Sequence, residues 1–364
     1  MKCQVLVDWL TFSVKTENAN EVIENFLGMD SGLFQDTGYG LLGYQKCKSF
    51  NDIMVCYEGR ENDYFHNMGV CVSMSGNGCR TFETMSKLDT NDKTGPFPVL
   101  FQLLAGNPEV NVSRIDIACD DHEGYLDMGE IIKKTYANDI NSRMAKRQVV
   151  VSLDGTQRDG STVYIGSPSS DFRLRIYDKA LEQGESGHWV RVEMVMRANN
   201  ATGFVDQVVN SSVGELAAKV LNDKFCFIDR DDTNISRCSV CDWWSSFVDD
   251  VESVRLFARK VIQHAVEQIA SWVDTQVGPS LSVLTRSLGW DYLVDLIHRS
   301  KSRTTNKQES LVSDYQKLYA KAVTRYAVRA GRKGPHRSRV KRANISRLER
   351  ARSAGKKGPV SLNQ

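Results

Sequence analysis

The segment Asp171-Phe-Arg-Leu-Arg-Ile-Tyr-Asp-Lys-Ala-Leu-Glu182 alternates polar and apolar residues with a period of two. On a β-strand, Arg173, Arg175, Tyr177 and Lys179 share one face, and Phe172, Leu174 and Ile176 share the other. Alternation alone marks any half-buried strand. What distinguishes this one is the content of its polar face, a phenol among three cations. Two further segments repeat the design. Arg114-Ile-Asp-Ile-Ala-Cys-Asp120 sets Arg114, Asp116 and Asp120 against Ile115, Ile117 and Cys119. Arg191-Val-Glu-Met-Val-Met-Arg197 sets Arg191, Glu193 and Arg197 against Val192, Met194 and Met196. Three strands with charged faces and apolar backs predict one sheet on which a tyrosine, carboxylates and arginines meet.

That set of groups suits metal-assisted phosphodiester chemistry. Neighbouring cations favour a phenolate over a phenol and can hold an anionic phosphate beside it. Attack on a phosphodiester builds negative charge that Mg²⁺ or Mn²⁺ and arginines stabilise, and these hard ions take carboxylate oxygens. Tyr177 is the candidate nucleophile, with Arg175, Lys179 and Arg191 beside it and Arg173 and Arg114 on the same faces to contact DNA. Asp116 and Glu193 are the candidate metal ligands. Asp120 stands about 7 Å beyond Asp116 along its strand and is the weaker ligand. Asp8 can brace a strand end, and Glu182 can pair with Lys179. The competing reading of Tyr177 is a sheet tyrosine packed among arginines.

The remainder of the chain reads as a mixed α+β domain followed by helices. Residues 3–14 form an opening strand whose apolar character Asp8 interrupts, and residues 20–27 a short helix. Strands are expected near 41–47, 52–58, 69–75, 148–153 and 162–166. Helices are expected near 80–87, 97–105 and 126–137, with one or two between 202 and 222. Gly76-Asn-Gly-Cys-Arg80 reads as a glycine turn before a helix N-terminus, which is either a plain turn or an anion cradle. Gln183 to Gly187 form a turn that makes the Tyr177 and Glu193 strands an antiparallel pair. From about 246 helical periodicity dominates, giving a division into 1–245, a helical part 246–328, and a tail 329–364. At 364 residues with 41 % hydrophobic and 25 % charged composition, the chain can bury a sizeable core. No apolar run approaches the roughly 18 residues of a membrane span, and the early charges rule out a signal peptide. Nine cysteines without a repeated framework read as reduced thiols of a cytoplasmic protein, and Cys238-x-x-Cys241 lacks a second ligand pair.

Charge is distributed unevenly. From Arg329 to Lys357 there are 12 Lys/Arg against the single acid Glu349, a local +11, so a whole-chain charge of +2 leaves −9 elsewhere. An acidic body with a basic tail is the footprint of nucleic-acid binding, with Arg332, Lys333, Arg337, Arg339, Lys341 and Arg342 as candidate phosphate contacts.

Six motifs in order carry a family resemblance: Val-Asp-Trp-Leu-Thr-Phe (7–12), Ser-Gly-Asn-Gly-Cys-Arg (75–80), Arg-Ile-Asp-Ile-Ala-Cys-Asp-Asp (114–121), Arg-Ile-Tyr-Asp-Lys-Ala-Leu-Glu (175–182), Arg-Val-Glu (191–193) and Asp-Trp-Trp (242–244). Over roughly residues 1–300 the chain resembles the replication initiation factor family, which starts rolling-circle replication of staphylococcal-type plasmids, filamentous phages and integrative elements. The resemblance implies a replication-relaxase fold: an antiparallel sheet with flanking helices. It implies a site-specific, Mg²⁺- or Mn²⁺-dependent nickase whose tyrosine joins the 5′ phosphate of origin DNA and frees a 3′ hydroxyl primer. By motif, Tyr177 is the nucleophile and Asp116 and Glu193 are the metal-site carboxylates. The partners implied are origin DNA, host helicase and DNA polymerase, and a second copy of the chain.

Two rival readings remain. His336-Arg-Ser-Arg339 matches a tyrosine-recombinase fragment, but no tyrosine follows Tyr326 to serve as its nucleophile. A non-catalytic DNA-binding regulator would use only the tail and C-terminal helices, and covalent adduct formation separates it from a nickase. Flexible cations read charge rather than base edges. Truncation after Val328 should therefore weaken binding to origin and random DNA by similar factors and flatten the salt dependence. Affinities for both DNAs across a salt series test this, and selective loss of origin binding would make the tail a sequence reader.

Overall fold

Strand β1 (Gln4–Val14) pairs antiparallel with β6 (Val110–Asp121) at the centre of a ten-stranded sheet. Outward from β1 follow β5 (Val70–Met74), β4 (Ile53–Gly59), β3 (Tyr44–Phe50) and β2 (Gln35–Asp36). Outward from β6 follow β11 (Val190–Arg197), β10 (Phe172–Asp178), β9 (Gln157–Ile165) and β8 (Arg147–Asp154). Every pairing is antiparallel. The computed structural model describes residues 3–59, 68–88, 95–154, 157–253 and 277–304, and isolated positions 273, 309, 312, 313 and 316. The basic tail, with Arg332, Lys333, Arg337, Arg339, Lys341 and Arg342, and most of the helical stretch expected beyond 253 lie outside the described residues.

The two halves of the sheet share one plan. Each starts with a central strand and a helix: β1 with α1 (Ala19–Asn25), and β6 with α4 (Met128–Ala137). Each then runs to its outer edge and returns by a four-stranded meander to lie beside its own first strand. Each ends in a helix, α2 (Gly76–Met85) after β5 and α6 (Ala198–Val208) after β11. A sequence search for a fixed period finds no such repeat, because the two halves have different loop lengths and side chains.

The apolar backs of the charged strands form the core as their alternation predicts. Ile115, Ile117 and Cys119, Leu174 and Ile176, and Val192, Met194 and Met196 join one buried cluster. The helices α3 (Phe97–Leu104), α6, α7 (Val213–Lys224) and α8 (Asp242–Glu252) add Phe101, Phe204, Leu216 and Trp244 to it. Trp244, from the Asp-Trp-Trp motif, is fully buried with ring centroids 5.3 Å from both Phe225 and Phe227. That motif therefore works as packing. A two-stranded ribbon of β7 (Ile140–Asn141) and β12 (Cys226–Phe227) lies apart from the main sheet.

Three local expectations are corrected. Gly76 and Gly78 are not a turn before a helix but the first turn of α2 itself. A Cβ at Gly78 would meet the Asp52 carbonyl oxygen at 2.3 Å, so the glycine permits the helix to approach the β3–β4 turn. Lys179 does not extend β10. The Asp178 side chain accepts from the Leu181 N–H and starts the short helix α5 (Lys179–Gln183). Cys47 and Cys56 are directly opposed on β3 and β4 and are joined in a disulfide, whereas the other seven cysteines are free.

The chain divides into two units, Met1–Val283 and Leu284–Gln364. All the strands belong to the first. Helix α9 (Gly278–Ser300) is interrupted at Gly289, whose φ of +84° is open to glycine, and a single 3-10 turn follows at Lys301–Arg303. No helix among the described residues is long and apolar enough to cross a membrane.

Candidate active site

The registers of four strands assemble the site on the face opposite the core. Glu193 on β11 stands opposite Ala118 on β6, with Asp116 and Asp120 two residues to either side of Ala118. A methyl group at 118 leaves Glu193 room between the two aspartates. From the other side, Arg175 on β10 opposes Glu193, and Tyr177 opposes Arg191. The three segments singled out by their charged faces thus meet as neighbouring strands in one sheet.

A fourth strand adds what alternation misses. The β1–β6 pairing passes from Val7↔Ile117 to Trp9↔Asp116, leaving Asp8 as the extra residue of a β-bulge. Before it Val5 and Val7 face the core; after it Leu10, Phe12 and Val14 do. The bulge brings the Asp8 carboxylate into contact with Arg191. A Cβ at Gly76 would lie 3.2 Å from Asp8 Oδ1, so this carboxylate sits at the N-terminus of α2. The anion at that helix start is therefore an aspartate, which the helix dipole favours.

Each acid of the cluster around Tyr177 has an arginine. Arg114 donates to both oxygens of Asp116 at 2.9 and 2.6 Å. Arg191 donates to both oxygens of Asp120 at 2.6 and 2.8 Å and spends its remaining nitrogen on Asp8 at 3.1 Å. Arg175 pairs with Glu193 Oε1, and Tyr177 Oη donates to Glu193 Oε2 at 3.4 Å. Lys179 pairs with Glu182 and holds its ammonium 5.6 Å from the Tyr177 ring centroid. Asp120 is fully buried and orients Arg191 through both its oxygens, and Arg114 holds Asp116 in the same two-point way. Its neighbour Asp121 accepts from the N–H groups of Glu123, Gly124 and Leu126 and shapes the turn after β6.

Burial, more than neighbouring charge, sets the protonation of this cluster. It raises the Tyr177 phenol well above its ordinary value; Glu193, Asp8 and Glu182 add to the rise, and Arg191 opposes it. The expected tendency toward phenolate is thus reversed: three cations in sequence are outweighed by desolvation and by the carboxylates that pair with them. Burial also raises Glu193 to about 7, with Asp8 and Asp116 adding to it against Arg175. Asp116 is raised by burial against the pull of Arg114.

Arg173 sits over Tyr164, its guanidinium carbon 4.1 Å from the ring centroid, and Arg114 covers Trp9 at the same distance. Arg197, opposite Arg114, donates to the Ser170 carbonyl at 3.3 Å. Trp9 and Tyr164 are not legible as site residues from strand alternation alone. Tyr164 becomes one through its register opposite Arg175, and Trp9 through the bulge.

The replication initiation factor model matches residues 110–297, over half of the sequence. The chain belongs to the replication initiation factor family. A second model, the N-terminal domain of rolling-circle replication initiation proteins, matches residues 4–94, so the two matches meet at the β1–β6 seam. A relative in Bacillus subtilis strain 168, a putative DNA relaxase NicK, is 26% identical over 328 residues, covering 85% of this chain and 89% of its own. The solved structure of a rolling-circle replication initiator protein from Geobacillus stearothermophilus superposes with a TM-score of 0.64 at 29% identity. It covers 70% of this chain and 98% of its own.

Removing one partner from a buried ion pair costs about 3–5 kcal/mol. Asp120→Ala is expected to lower unfolding free energy by about that much, with Asp120→Asn milder because it can still accept one hydrogen bond from Arg191. Urea denaturation of the two variants checks this.

Proposed function

We propose that this family member nicks DNA at a replication origin, with Tyr177 as the nucleophile. The observation that carries the proposal is the hydroxyl of Tyr177, 3.4 Å from a Glu193 oxygen, with Arg191 directly opposite on the neighbouring strand. Glu193 accepts the phenol's hydrogen bond and receives its proton as the phenolic oxygen attacks phosphorus. The P–O3′ bond breaks, the 3′ oxygen leaves and takes a proton from water to become a hydroxyl, and the 5′ phosphate stays on Tyr177. Arg191, held by Asp120 and Asp8, faces the charge that builds on the phosphate oxygens. The freed 3′ hydroxyl would then serve as primer for a host DNA polymerase.

The donor set also fits a hard divalent cation. Asp116 and Glu193 are two buried carboxyls, and their joint ionisation is resisted by burial and by each other. Mg²⁺ is typically held by one or two carboxylates with several waters. Asp116 and Glu193 would hold Mg²⁺ or Mn²⁺, with Asp8 close enough to add its charge; such an ion supplies Lewis-acid stabilisation of the phosphate. Among the described residues no three His, Cys, Asp or Glu side chains form a ready-made metal site.

Tyr177→Phe should abolish nicking and the covalent 5′ adduct while leaving DNA binding within a few-fold. Adduct mapping by mass spectrometry decides it, since an adduct elsewhere moves the nucleophile.

The raised Glu193 value gives a pH dependence. In the metal-free protein, ionising Glu193 costs stability, which is lost as pH rises from its ordinary value of 4.5 through about 7. A bound cation removes that cost, and below pH 7 it must displace a proton. Apparent Mn²⁺ affinity should therefore rise with pH up to about 7 and then level off. Glu193→Gln should bind weakly with a flatter profile, and titration calorimetry at several pH values is the check.

A further inference from the structure

Four strands of the open face carry two aromatic–guanidinium pairs whose rings the chemistry above does not use. Trp9 with Arg114 stands on one side of the Tyr177–Glu193–Asp116 cluster, and Tyr164 with Arg173 stands on the other. Both pairs face the same way as Tyr177. Tyr164 is directly opposite Arg175, and Trp9 directly opposite Asp116. The Trp9 ring is pinned by a 2.8 Å bond from Nε1 to Thr11 Oγ1, which in turn contacts Ser73 Oγ at 3.0 Å. Four inter-strand steps separate β1 from β9, about 19 Å in all.

We propose that single-stranded DNA crosses the sheet at right angles to its strands, with bases on the two sides of the scissile phosphate stacked on the Trp9–Arg114 and Tyr164–Arg173 pairs. This rests on the preceding reading only for where the reacting phosphate lies.

Three observations favour that occupant. Aromatic rings and guanidinium planes offer a base their flat faces, a mode of recognition tolerant of sequence. A base within a duplex has both its faces covered by neighbours, so such pads can be used only by an unpaired strand. Charge is also arranged to suit a phosphate backbone. The acids around Tyr177 are matched with Arg114, Arg175, Arg191 and Lys179. Arg173 and Arg197, by contrast, pair with no carboxylate among the described residues. Two uncommitted cations beside one stacking pad attract a phosphate next to the base bound there.

The test uses the full chain and a dT12 strand with one central 2-aminopurine, whose fluorescence falls when it stacks. Raised salt screens the tail's contribution. Wild-type protein should bind and quench the probe. Trp9→Leu and Tyr164→Leu should each weaken binding about 5- to 150-fold, the range for losing one stacked base, and relieve the quenching. Trp9→Phe and Tyr164→Phe keep a ring and should stay within a few-fold of wild type. They guard against simple unfolding, which thermal melting also monitors. Duplex of the same length should be insensitive to all four substitutions. The proposal is overturned if the leucine variants bind and quench like wild type, or weaken single strand and duplex alike. Nicking is scored separately. A wild-type protein that forms the Tyr177 adduct while both leucine variants keep its KM refutes the stacking pads alone. Loss of stacking in a protein that forms no adduct refutes the nickase reading alone.

Discussion

Burying three carboxyl groups beneath one face of a sheet would be ruinous if any of them lacked a partner. Here each is matched across or along the strands: Asp116 by Arg114, Asp120 by Arg191, Glu193 by Arg175. Pairing of this kind demands register. A one-residue slip of β10 or β11 would turn the arginines into the apolar core and leave the acids unpaired. The geometry of the site and the correct pairing of the strands are therefore the same constraint. Asp8 is the fourth acid, and it shares an arginine already engaged by Asp120. Burial, together with that surplus of negative charge, raises Glu193 and Tyr177 and leaves the cluster suited to a cation.

The duplicated plan explains where the surplus comes from. Asp116, Asp120, Tyr177, Arg191 and Glu193 all belong to the second half of the sheet. Asp8 and Trp9 come from the first half and reach the site because β1 and β6 are paired along their length. The first half thus contributes through one bulge at the seam and otherwise supplies a scaffold, including the disulfide-linked β3–β4 hairpin and the helix whose N-terminus abuts Asp8. The matches to two separate family models, ending at residue 94 and beginning at residue 110, follow the same division.

Much of this was legible in the sequence because it is local. The period-two alternation in 114–120, 171–178 and 191–197 named the strands, their apolar backs and the charged groups that meet. The antiparallel pairing of β10 and β11 followed from a short turn. The order of the central strands was not legible, since β1 pairs with a strand more than a hundred residues away. The bulge did leave a signal: Val5 and Val7 are out of phase with Leu10, Phe12 and Val14, and an extra residue between them is the simplest cause. Lys179 was misplaced because Asp178 looks like any polar strand residue until its side chain is seen capping a helix. The protonation of Tyr177 was misjudged because a list of neighbouring cations says nothing about burial or about the acids already holding them. Cys47 and Cys56 could be matched only once β3 and β4 were in register.

The position of Tyr177 within the sheet has a mechanical meaning. β10 is an interior strand, hydrogen-bonded to β9 on one edge and β11 on the other. A tyrosine tethered to a DNA end transmits any tension on that end into the backbone that carries it. Tension along an edge strand can unzip its single ladder one bond at a time. Tension along β10 must shear two ladders together, and β11 passes part of the load on to β6 and β1. If Tyr177 is the nucleophile proposed above, a pull on the DNA it carries is spread over the sheet.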